Sequence, residues 1–166
     1  MPPVYITPEA QFAVDGRLVV CRFVGPEVDE HILEMVRLLN HELVDSQGRA
    51  VFLVSGVNVG FPGAVARHAV HKLLSVRGSK VLGGTITIEG GGFRAAAQRA
   101  IALSVHLFVK SNYPQAIFAA TTPASVWLAN RIPEMTANQI TASYSALLAA
   151  SGAVPVSAPL RLGIAD

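Results

Sequence analysis

His68 and His71 stand three residues apart in a stretch that reads as helix, a spacing that sets two imidazoles on one side, within reach of one metal ion. Nothing nearby completes that chemistry. The stretch holds no cysteine or carboxylate, and structural zinc takes four ligands, so no metal site is predicted. Ser55 ends an apolar run, as a strand-end nucleophile would, yet no G-x-S-x-G elbow surrounds it and no triad order can be assigned. Cys21, the single cysteine, shares a strand face with Val19 and Phe23; this predicts an inert buried thiol and excludes an internal disulfide. Gly90-Gly91-Gly92 precedes a helix, where free amides and the helix dipole could hold an anion. The triplet lacks the G-x-G-x-x-G order, a Walker lysine and a later acidic ribose ligand. It therefore reads first as a flexible strand-to-helix turn and second as an anion-binding loop. No catalytic residue and no cofactor is predicted, and an enzyme is not expected.

Charge supplies a stronger signal. The net charge is only +2, but residues 1–48 carry eight acids against three bases, whereas residues 49–131 carry nine bases against Glu89 alone. One part of the surface should be basic. On the helix expected from about Pro62 to Arg77, Arg67, His68, His71, Lys72 and Ser75 occupy one half of the wheel. Val65, Ala66, Ala69, Val70, Leu73, Leu74 and Val76 occupy the other. The polar half, with Asn58 and Phe61 from the loop before it, is the predicted partner-binding face. The bases are not interleaved with aromatics and no groove-reading motif occurs, so nucleic acid is not the expected partner. An anionic protein face, a phosphate group or a lipid surface fits the charge.

The elements that position these residues follow from periodicity. Ala10–Val14 and Arg17–Val24 flank Asp15-Gly16, a type I′ turn dipeptide, and predict a β-hairpin. A helix from Asp29 to about Asp45 follows, with acids at its amino end and Ile32, Met35, Val36, Leu39 and Leu43 on one face. The continuous apolar run Ala50–Val54 marks a central strand covered on both faces. After the helix with the basic face come a strand over Lys80–Ile88, a helix from Phe93 to about Lys110, and a last strand over Gln115–Ala120. Thr122-Pro123 is expected to cap a short helix carrying Val126, Trp127 and Leu128. Thr136-Ala-Asn-Gln139 is a capping box for a helix running to Gly152. The helix after the glycine triplet is apolar nearly all round, with Ala96, Ala100, Leu103 and Leu107 on one side and Ile101, Val105 and Phe108 on another. It should be covered either by the 137–150 helix or by a second subunit.

Strands alternating with helices predict an α/β fold: a mixed central sheet of about five strands opened by a hairpin, helices packed on it, and an extra C-terminal helix. At 166 residues, with 51% hydrophobic and 14% charged residues, the chain suffices for one domain with a full core. So little surface charge favours association, with another protein or with a second copy. No stretch reaches the roughly 18 to 20 apolar residues of a bilayer span, and Met1-Pro2-Pro3-Val4-Tyr5 lacks the order of a signal peptide. A cytoplasmic location is the expectation.

The order of hairpin, helix, buried strand, helix, strand, helix, strand and short helix resembles the STAS fold, and within it bacterial STAS-like proteins near anti-sigma-factor antagonists and CRAL-TRIO domains. The matching stretches are Asp15-Gly16-Arg17-Leu-Val-Val, the strand Val51–Val54 with its glycine loop, and Thr122-Pro-Ala-Ser-Val-Trp-Leu128. The resemblance covers residues 10–132. It implies a STAS-like domain over 1–133; the capping-box helix over 134–152 lies outside it, and Pro155 and Pro159 predict a flexible tail over 153–166. It also implies a non-catalytic regulatory or scaffold module in signalling or localisation, binding a protein partner; the alternative is a carrier of an apolar ligand or lipid. The antagonist family opens the helix after the buried strand with a phosphorylatable serine. The corresponding Phe61-Pro62-Gly63-Ala64 offers no hydroxyl.

Overall fold

A computed structural model of the chain describes residues 3–44, 47–56, 58–90, 92–108 and 112–152, with the side chains of Pro3 and of 101–108 not described. Six strands form one sheet whose spatial order equals their chain order. β1 (Pro3–Ile6), β2 (Ala10–Asp15) and β3 (Leu18–Phe23) are antiparallel, and β4 (Arg49–Ser55), β5 (Val81–Ile88) and β6 (Gln115–Phe118) continue from β3 in parallel. Between them run α1 (Asp29–Glu42), α2 (Ala64–Arg77) and α3 (Gly92–Phe108), followed by α4 (Thr121–Ala129) and α5 (Ala137–Gly152). This is the α/β architecture expected, with a sixth strand at the amino end.

Every parallel crossover steps the same way along the sheet, so right-handed connections stack their helices on one face. Val19, Cys21 and Phe23 of β3 accordingly pack with Ile32, Met35 and Leu39 of α1 and Ala66 and Leu73 of α2. The alternate residues Leu18 and Val20 point to the opposite face, beside Phe52 and Val54 of β4. There they meet Leu128 of α4 and Ile140, Tyr144 and Leu147 of α5. Three layers result, with β3 buried on both sides.

Several local expectations shift. The hairpin is present, but Asp15 pairs with Leu18, so its two-residue turn is Gly16-Arg17, with Gly16 at φ +56°. β1 is held by tertiary contacts: the Tyr5 ring stacks on Phe12 at 4.9 Å, and its hydroxyl bonds His31 Nδ1 of α1 at 2.9 Å. Thr122-Pro123 does not cap α4; the helix begins at Thr121 after Ala120, which has no capping side chain. The capping box of α5 is formed as expected, Gln139 Oε1 accepting from the Thr136 amide at 2.8 Å and Thr136 Oγ1 from the Gln139 amide at 3.3 Å. α5 lies over β1, β2, β3 and α4, on the face opposite α1 and α2, where it buries its own apolar stripe. It is thus not the cover anticipated for α3. Ala96 and Ala100 of α3 are exposed, while Leu103, Leu107, Ile101, Val105 and Phe108 fall where side chains are not described.

Interior strand β4 is also less enclosed than its apolar run suggests. Ala50, Phe52 and Val54 are fully buried under α4 and α5, but Val51 and Leu53, which face α1 and α2, are only half-buried.

Candidate docking face and an apolar cavity

The loop leading to α2 is strapped to the start of α1. The Gly56 amide donates to the Phe23 carbonyl at 3.0 Å, and the Gly63 amide donates to Asp29 Oδ1 at 2.7 Å. Gly60 passes so near the segment between β3 and α1 that a Cβ there would collide with the Pro26 carbonyl oxygen, which requires glycine. Arg67 Nη1 donates back to the Pro62 carbonyl at 3.0 Å. These ties leave Phe61 outside, 61% exposed. Gln98 of α3 reaches the same loop, donating to the Val59 carbonyl at 3.2 Å.

All the predicted partner-binding residues, Asn58, Phe61, Arg67, His68, His71 and Lys72, are exposed and lie on this loop and the outer side of α2. Gly90 and Gly92, from the candidate anion loop, open the neighbouring crossover with positive φ values of 111° and 82°; Gly91 lies outside the described residues. Arg99 Nη1 donates to the carbonyls of Ile88 and Gly90 at 3.0 and 3.2 Å, so an intramolecular cation occupies the carbonyl side of this turn. Ser55 Oγ donates to the Gly56 carbonyl at 3.3 Å, a local bond that suits a strand exit. Among the described residues no group of three or more His, Cys, Asp or Glu is placed to hold a metal ion. No described helix is long and apolar enough to cross a membrane.

The apolar half of α2 is narrower than its wheel implies. Ala66 and Leu73 are buried and Ala69, Val70 and Leu74 half-buried, whereas Val65 and Val76 are 69% and 67% exposed. Both valines sit on the flank of the stripe, on the same side of the helix as Lys72. Phe93, in the first turn of α3, is 90% exposed beside exposed Arg94. Its position was readable in principle: Ala95, two residues on and therefore nearly opposite on a helix, is fully buried.

Two features escaped sequence reasoning because they depend on distant pairings. In one, His31 bonds Tyr5 through Nδ1 and Glu9 Oε2 through Nε2 at 3.1 Å, tying α1 to β1 and to the turn after it. In the other, the inner side of α2, α1 and the sheet border a partly open apolar cavity of about 140 Å³. Leu39, Val51, Leu53, Val70 and Leu73 are among its walls. Tyr113 and Gln115 stand at one end, the phenol donating to Gln115 Oε1 at 3.3 Å. Burial pushes the Tyr113 pKa above the usual tyrosine range, so this end stays uncharged at neutral pH.

Comparison of the chain with family models, curated proteins and solved structures finds no match.

Proposed function

We propose that this chain is a STAS-like regulatory or scaffold module, non-catalytic, that docks an anionic protein partner through the outer side of α2 and the loop before it. One observation carries this reading. Between Ala64 and Arg77 there is no acid, Arg67 and Lys72 project into solvent with two histidines, and exposed Phe61 and Val65 lie among them. Apolar anchors within a single-sign field suit a recognition surface, because charge steers the encounter and desolvated side chains supply affinity. The order of strands and crossovers supports the STAS likeness. With Phe61-Pro62-Gly63-Ala64 where that family places its phosphorylated serine, regulation here is by binding alone.

The test is the double variant Arg67→Glu with Lys72→Glu, used as bait beside the unchanged protein in extracts of the native cell. Neither side chain is buried, so stability should change by no more than about 0.5 kcal/mol. The expected result is one acidic partner retained by the unchanged protein, weakened by added salt and lost by the variant at unchanged Tm. Equal retention by both proteins refutes the reading, as does a large fall in Tm, which would make these residues structural.

A further inference from the structure

We infer that the cavity between α1, α2 and strands β4 and β5 is a binding site for one small, ring-sized apolar molecule, separate from the docking face on the other side of α2. Protein interiors pack at crystal-like density and leave few voids larger than a water molecule. A partly open space of about 140 Å³ lined largely by leucine and valine departs from that density, and most of its wall offers water no hydrogen-bonding partner.

Volume selects the ligand class. Apolar cavities of about 150 Å³ stay dry and admit benzene, whereas sites for larger ligands span about 300–1,000 Å³. A fatty-acyl chain is therefore too large, and an apolar-ligand function of this fold narrows to a single aromatic ring or its equivalent. Tyr113 and Gln115 supply a polar end, which suits a ring bearing at most one hydroxyl or amine. Half-burial of Val51 and Leu53, on an interior strand, is the sequence-remote consequence of this space.

The test follows methyl resonances of the full chain by NMR during titration with benzene, phenol and dodecanoate. Benzene and phenol should give saturable one-to-one shifts confined to methyls such as those of Leu39, Val51 and Leu73, and dodecanoate should give none. Val70→Phe places a ring in the space and should abolish those shifts. Leu39→Ala enlarges it and should admit naphthalene, which the unchanged protein refuses; this arm decides the matter if Val70→Phe does not fold. Absence of saturable shifts with benzene overturns the proposal, as does tight binding of dodecanoate, which would indicate a lipid carrier. Arg67→Glu with Lys72→Glu should leave benzene binding unchanged, so failure of the docking face and failure of the cavity are read separately.

Discussion

A chain cut after Pro133 loses α5, and with it three side chains seated on the sheet: Ile140, Tyr144 and Leu147, respectively 0%, 5% and 1% exposed. Burying such side chains stabilises by about 1.5–3 kcal/mol each, so the helix contributes about 5–9 kcal/mol of hydrophobic stabilisation as an upper estimate. The loss is compounded on the facing surface, where Leu18, Val20 and Phe52 become open to water; the Phe52 ring now lies 5.7 Å from that of Tyr144. Net stability of a domain is about 5–15 kcal/mol, so the cut should remove most or all of it. The assay is thermal and urea unfolding followed by near-UV circular dichroism, with sedimentation to detect association. The expected outcome is loss of the cooperative transition together with aggregation. As a milder perturbation in the intact chain, Leu147→Ala should cost about 2–5 kcal/mol and lower the urea midpoint at unchanged slope. If the shortened protein stays monomeric and unfolds cooperatively near the full-length Tm, α5 is an appendage and the reasoning about the second face fails.

Two further outcomes follow from buried groups. Cys21 is fully buried and burial pushes its thiol far above the ordinary range, so Ellman's reagent should not react with the native protein and should titrate one thiol after unfolding; rapid native reaction would contradict the β3 packing. Tyr144 is pushed above its ordinary pKa by burial and then by the charge of Glu89, and Tyr113 by burial. The folded state thus holds these phenolic protons more tightly, a contribution fully present below the unfolded pKa of about 10 and lost as pH rises through the folded values. Tm should fall at alkaline pH, and less steeply in Tyr144→Phe; an unchanged slope in that variant would remove Tyr144 from the linkage.

What the sequence revealed depended on whether the determining interaction was local. The β2–β3 hairpin, the apolar run of β4, the α5 capping box and the basic side of α2 are all written in neighbours a few residues apart, and all are present. β1 carries only four residues and a proline, and its place depends on Tyr5 meeting Phe12 and His31, which no periodicity announces. A helical wheel likewise gives the direction of burial but not its width, so Val65 and Val76 fall on its apolar half although α2 covers only a narrow stripe. The cavity was invisible for a related reason. It is a small difference between the volume offered by three elements and the side chains that fill it.

The two faces of the sheet are packed differently. The partly open space of about 140 Å³ leaves the face under α1 and α2 less densely filled than the other. The α4 and α5 face is dense by comparison: Leu18, Val20, Phe52, Val54, Leu128, Ile132, Ile140 and Leu147 are all essentially inaccessible. α2 is correspondingly held by few fully buried residues, Ala66 and Leu73, and by the loop ties through Gly60 and Gly63. Its outer side can therefore carry exposed bases and apolar anchors, and its inner side an unfilled space, without unseating the sheet. Truncating side chains under α5 should therefore cost more stability than truncating those on either side of α2.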